Sequence, residues 1–259
     1  MQAVFLDKGT FSDGIDLPAP IGVSDYITYN DTPKDTAVII ERCKDADIII
    51  TNKVQIGAEV IKQLPKLKLI QLTATGMNNV DQAACDKHDV ALFNVAGYAV
   101  KSVPEHTFML MLTAMRAGIH YHQKVADGTW LANGNFCLLD IPLIDLEDKT
   151  LGIIGIGTIG KRVTEIARAF GMTVLWAEHQ GREPRSDDYT AFDEVLARAD
   201  VISLHCPLNE QTEHLINKDT LAKMVKQPLI VNVARGGIVD SQALTDAVNN
   251  EQIIGYASD

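Results

Sequence analysis

The 259 residues hold four cysteines, no run of basic residues and no long apolar stretch. Each lack removes a class of protein. Cys43, Cys85, Cys137 and Cys206 are widely scattered, with no CxxC pair and no histidine at metal-ligand spacing. That pattern excludes a disulfide framework and a structural zinc site, and predicts reduced thiols. Lys and Arg number 23 against 34 Asp and Glu, a net charge of −11, so nucleic acid and anionic membranes are excluded as main partners. The longest strongly apolar stretch, Phe108 to Met115, falls well short of the roughly 20 residues that span a bilayer. The opening MQAVFLDKGT has neither a basic n-region nor a small-residue cleavage site. No export signal is expected, and a cytoplasmic location follows.

What is present is a regular alternation of short apolar runs with helix-period segments, the pattern of an α/β protein with parallel sheets. Strands are predicted at 3–6, 26–29, 47–50, 67–72 and 90–93, with helices at 36–43, 58–63 and 82–87. A second series has strands at 150–156, 173–176, 201–204, 229–233 and 253–256, and helices at 158–170, 192–197, 218–224 and 241–249. Between the two series, Ser102-Val103-Pro104-Glu105 has the form of a capping box opening a long helix, buried in its N-terminal half, that continues through Lys124. His106, at its start, is expected to pack with a satisfied ring. Residues 127–149 show little periodicity yet contain Trp130, Phe136, Leu138, Leu139, Ile141 and Leu143. Such an arm is covered either by its own domain or by a second subunit. The expected architecture is two doubly wound parallel-sheet domains, residues 1–98 and 99–259, joined by the long helix.

Gly155-Ile156-Gly157-Thr158-Ile159-Gly160 follows an apolar strand and opens a helix, which is the context a dinucleotide-binding turn requires. Gly155 permits the tight turn, Gly157 lets the backbone approach a pyrophosphate, and Gly160 lets helix and strand pack closely. The helix N-terminus offers free N–H groups to the phosphates. Glu178 ends the next strand, 18 residues past Gly160. A carboxylate there accepts from ribose hydroxyls and repels a 2′-phosphate, which favours NAD over NADP. His179, Arg182 and Arg185 nearby would blunt that preference.

Arg235 leaves the C-terminal end of an apolar strand and is followed by two glycines. Its planar, permanently charged fork suits a carboxylate and can polarise an adjacent keto oxygen. Gly76 allows close backbone approach to a ligand in the first domain. No Arg or Lys lies between Gln71 and Asp81, which favours a small unphosphorylated acid. His120 and His122 face different ways on a helix and bind no metal together.

Several stretches in order resemble the D-isomer-specific 2-hydroxyacid dehydrogenases over nearly the whole chain. They are Thr73-Ala74-Thr75-Gly76-Met77-Asn78-Asn79-Val80-Asp81, Ser102 to Thr107, the glycine turn, His205-Cys206-Pro207-Leu208, and Val231 to Asp240. Ile50-Thr51-Asn52-Lys53-Val54 and Ala96-Gly97-Tyr98 look most like the glycerate dehydrogenase (hydroxypyruvate reductase) branch. The resemblance implies a flavodoxin-like substrate domain and a Rossmann NAD-binding domain, with substrate held between domains whose closure excludes water. It implies Arg235 as the catalytic, substrate-binding arginine, with Thr75, Gly76 and Met77 completing the substrate site. For the cofactor it implies Val103, Thr107, Gly155, Gly157, Thr158, Ile159, Gly160, Glu178, His205, Cys206, Pro207, Thr212, Val233, Ala234, Arg235 and Asp259. It further implies a homodimer through the 102–124 helix and the arm.

Asp259 aligns with the family's nicotinamide-carboxamide aspartate. The family's Glu and His acid–base pair, and the segment returning to the first domain, would lie after it. An incomplete chain is therefore expected. Two other readings stay open: a sibling specificity such as D-lactate, and an NAD-sensing regulator like the family's transcriptional corepressors.

Overall fold

The computed structural model describes residues 1–259 and divides into two compact units, Met1–Tyr98 and Ala99–Asp259. In the first unit the order is β1 (Gln2–Phe5), β2 (Asp25–Thr28), α1 (Thr36–Cys43), β3 (Ile48–Thr51), α2 (Ala58–Ile61), β4 (Leu69–Leu72), α3 (Gln82–Lys87) and β5 (Ala91–Phe93). The strands form one parallel sheet in the order β2-β1-β3-β4-β5, the flavodoxin-like arrangement. The central strands read as near-continuous apolar runs because helices cover both faces of a parallel sheet. Val4, Ile49, Ile70 and Leu72 are fully buried among Ile39, Ile56, Ile61 and Cys85. Asp35 and Asp81 cap α1 and α3, accepting from the Ala37 and Ala84 N–H groups at 2.8 and 2.9 Å.

The second unit begins with α4 (Ala99–Met115), α5 (Gly118–Ala126) and α6 (Thr129–Asn133). It continues with β6 (Thr150–Ile154), α7 (Thr158–Ala169), β7 (Thr173–Ala177), β8 (Tyr189–Thr190), α8 (Phe192–Arg198), β9 (Val201–Leu204), α9 (Lys218–Leu221), β10 (Leu229–Asn232), α10 (Ser241–Asn249) and β11 (Gly255–Ser258). All six strands are parallel in the order β11-β10-β9-β6-β7-β8, the Rossmann order with β6 as its first strand. The strand order reverses between β6 and β9, and ligands bind outside the strand ends at such a switch point. Phe108, Met111 and Met115 of α4 pack into the core with Leu151, Ile153, Val163 and Val231.

Three expectations are corrected here. The helix expected to open with Ser102 begins at Ala99, so Ser102 is not an N-cap and Pro104 lies inside the helix. Pro104 therefore removes one intrahelical hydrogen bond rather than sitting where none is made. The helix does not run unbroken to Lys124: Ala117 takes a left-handed conformation (φ 52°) and separates α4 from α5. The closing strand lies at 255–258, half-buried at the sheet edge, not fully buried at 253–256. The structure also adds β8, which has only two residues.

Candidate cofactor and substrate sites

The turn between β6 and α7 lies against the start of the segment after β9, where the His205 N–H donates to the Ile154 carbonyl at 2.7 Å. Gly155 has φ +102°, and a Cβ there would stand 2.4 Å from the Cys206 nitrogen. A Cβ on Gly160 would stand 2.3 Å from the Gly155 carbonyl oxygen. Gly157 is different: nothing lies within 4 Å of its Cβ position, so this glycine keeps space open for a ligand rather than for protein. It is also the N-cap of α7 and offers no side-chain cap. The first-turn N–H groups are thus left for an anion.

A cavity of about 610 Å³ opens beside this turn, a size suited to a large cofactor. Of the sequence-predicted residues, Gly155, Gly157, Glu178, His205, Cys206, Pro207 and Thr212 line it. Arg182, Arg185, Tyr189 and Phe192 join them. Thr158 borders a neighbouring hollow with Gly157, Lys161 and Arg162. The open space at Gly157, the uncapped helix and the cavity together fit a dinucleotide. Val103, Ile159, Gly160, Val233, Ala234, Arg235 and Asp259 do not line the main cavity.

Thr107 is fully buried, and its hydroxyl donates to the Val103 carbonyl at 2.8 Å. That bond occupies the proton that a pyrophosphate contact would use. Thr212 likewise spends its hydroxyl on its own turn, donating to the Pro207 carbonyl at 2.5 Å. His106, expected to be satisfied, has a buried Nε2 with no hydrogen-bond partner.

His205 Nε2 lies 2.8 Å from the hydroxyl of Ser203, which is fully buried. Burial pushes the ring's pKa down to about 4, so the uncharged imidazole is its form at pH 7. The consequence for stability has a definite sign. As pH falls from 6.5 towards 4, an unfolded histidine gains its proton before the folded one, and stability is lost across that window. At pH 5 this amounts to roughly 2 kcal/mol. Urea unfolding at pH 7 and pH 5 should show a smaller pH-dependent loss in His205→Gln than in the parent, and equal losses would refute the assignment. Burial also pushes the Cys206 thiol up to about 11, leaving it protonated and unreactive.

Arg235 follows β10 in an extended conformation (φ −148°, ψ 137°) and starts the 3-10 turn Gly236–Ile238. Its Nη1 donates to the Ala234 carbonyl at 2.7 Å. The side chain is exposed and has no carboxylate partner. Asn232 fixes this bend from below and was not singled out by sequence reasoning. It is 3% exposed; its Oδ1 accepts from Ala234 N, and its Nδ2 donates to the Arg235 carbonyl and Tyr256 hydroxyl, each at 3.0 Å. A polar residue ending an otherwise apolar strand was the signal available.

In the first unit the strand ends converge similarly. Asp7, 3% exposed after β1, accepts from Asn52 N–H at 2.9 and 3.0 Å and from Lys53 N–H at 2.6 Å. It thereby clamps the turn after β3. The loop after β4 is held on both flanks: Thr73 N–H donates to Thr51, Asn94 Nδ2 to the Thr75 carbonyl and Asn79 Nδ2 to the Val54 carbonyl, at 2.9, 2.7 and 3.0 Å. Between those ties, the N–H groups of Thr75, Gly76 and Met77 donate to no protein acceptor. Lys53 extends from the adjoining turn, exposed and without an ion-pair partner.

A nucleotide-binding Rossmann unit joined to a flavodoxin-like unit with a free anion-binding turn defines a two-domain, dinucleotide-dependent class of protein. Residues 108–259 match the family described as D-isomer specific 2-hydroxyacid dehydrogenase, NAD binding domain. The chain belongs to that family. It is 41% identical over 259 residues to a Haemophilus influenzae protein that carries 2-hydroxyacid dehydrogenase in its name, covering 100% of this chain and 82% of the relative. It is 39% identical over 221 residues to the glycerate dehydrogenase of Methylorubrum extorquens, covering 85% and 69% of the two chains. Among solved structures, an acyclic imino acid reductase in complex with NADPH and D-Arg superposes with a TM-score of 0.85 at 27% identity, covering 100% of this chain and 82% of the other.

Proposed function

We propose that this protein is an NAD(H)-dependent oxidoreductase interconverting D-glycerate and hydroxypyruvate, and that it also reduces glyoxylate. The observation that carries the reading is Arg235: a guanidinium free of any carboxylate, at a strand end held rigid by Asn232. Its fork engages the substrate carboxylate and draws electron density from the adjacent keto oxygen. Within the first unit, the unbonded N–H groups of Thr75, Gly76 and Met77 offer donors to an anionic group. When bound, a nicotinamide supplies or takes up the hydride at C2. His205, held neutral by burial, is not the proton donor in this reading. Residues 1–98 form the substrate domain, and residues 99–259 form the NAD-binding domain.

The similarity to a glycerate dehydrogenase favours a hydroxymethyl substituent over a methyl group. Purified full-length protein should oxidise NADH with hydroxypyruvate at a higher kcat/KM than with pyruvate. A preference for pyruvate would replace the substrate, and no turnover with any small 2-keto acid would end the reading.

The arm after α5 supports self-association. Leu131, Phe136 and Leu139 are 85%, 97% and 74% exposed, and large apolar side chains grouped on one exposed segment suit an interaction surface. A homodimer burying this arm is proposed, and a monomeric mass by light scattering refutes it.

A further inference from the structure

Glu178, the residue assigned to the adenine ribose, is fully engaged by its own loop. It is 3% exposed. Its Oε1 accepts from His179 N–H at 2.8 Å, lies 2.7 Å from His179 Nδ1 and meets the Arg185 Nη2 group. Its Oε2 accepts from the Arg185 N–H at 3.0 Å and from Arg185 Nε at 2.7 Å. The guanidinium beside it holds the carboxyl well below the usual carboxylate range. Arg185 is itself oriented by the Tyr189 ring, 4.5 Å beneath its central carbon. Arg182 stands on the same wall of the cavity, exposed and without a carboxylate partner.

Two properties follow. A carboxylate whose lone pairs are already used cannot accept from ribose hydroxyls without giving up bonds to Arg185. A carboxylate compensated by an adjacent guanidinium repels a phosphate weakly. With Arg182 added, this end of the cavity carries two guanidinium charges against one carboxylate.

We propose that Arg185 decides the choice of dinucleotide, and that the adenosine end of the cavity takes a 2′-phosphorylated adenosine as well as an unphosphorylated one. The inference rests on the dehydrogenase reading and extends it to NADP(H). Arg185 Nη1 is committed to no protein acceptor. It can donate to a 2′-phosphate while Nε and Nη2 stay on Glu178, and Arg182 adds a second cation.

The test is titration of the purified full-length protein with NADH and with NADPH, followed by nucleotide fluorescence and requiring no turnover. The two dissociation constants should agree within about tenfold. Arg185→Ala should weaken NADPH by about tenfold or more while NADH changes by less than about threefold. Arg185→Lys, which keeps the charge but loses the fork, should weaken NADPH by a smaller factor and serves if the alanine variant does not fold. Raising the salt concentration should weaken NADPH more than NADH. NADPH binding more than about tenfold weaker than NADH in the parent protein overturns the proposal. So does a variant that weakens both nucleotides equally. Binding of neither nucleotide would overturn the dehydrogenase reading as well, so the two failures are distinguishable.

Discussion

Arg235→Ala should lower kcat/KM for the 2-keto acid by at least about a thousandfold and leave NADH affinity almost unchanged. The size follows from what is lost. A charged, bidentate donor to the carboxylate disappears, and with it the polarisation of the keto oxygen, whereas loss of a single oxyanion donor alone is worth about a hundredfold or more. The selectivity follows from position: Arg235 lies beyond β10 and forms no part of the main cavity wall. The fold should survive, because the side chain is exposed and its only internal bond is to the neighbouring Ala234 carbonyl. Arg235→Lys should recover a minor part of the activity, since it restores charge without the fork. Steady-state kinetics paired with a fluorescence titration decides the matter. Equal loss of NADH binding would show that Arg235 organises the cofactor site instead.

Gly160→Ala and Gly157→Ala should separate packing from ligand access. At position 160 the added methyl meets the Gly155 backbone oxygen at 2.3 Å, and backbone cannot rotate away as a side chain can. Stability should fall by about 1–3 kcal/mol, and NADH affinity by at least tenfold, because the displaced turn is the one that faces the phosphates. At position 157 the methyl meets no protein atom within 4 Å, and φ is −93°. Stability should therefore change by less than about 0.5 kcal/mol, while nucleotide affinity falls because the methyl occupies ligand space. Urea unfolding and NADH titration of both variants test the contrast. A Gly157→Ala variant that binds NADH normally would show that the phosphates do not approach this turn.

The two parallel sheets were legible because their strands alternate with helices and carry local punctuation. Thr36–Cys43, Gln82–Lys87, Val201–Leu204 and Ser241–Asn249 fold with the bounds the periodicity predicts, three of them helices that begin just after a capping aspartate. What escaped was set by distant contacts. The left-handed residue that breaks α4 from α5 is Ala117, not the adjoining Gly118, so no local signal marked it. The two residues of β8 are too few to show a period, and only pairing to Trp176 and Ala177 makes them a strand. The candidate site divides in the same way. The glycine turn and Arg235 are written in local motifs, whereas the bonds of Asn232 to Tyr256 and the engaged state of Glu178 depend on how separate segments meet.

The pairing of β7 with β8 closes the excursion from Glu178 to Tyr189 at both ends, with Glu178 N–H donating to the Thr190 carbonyl at 2.9 Å. Within it lie Glu178, Arg182 and Arg185, and outside it the six-stranded sheet proceeds undisturbed. With Arg185 in its proposed role, selection can rewrite nucleotide preference inside one sealed cassette, without retuning the core around it.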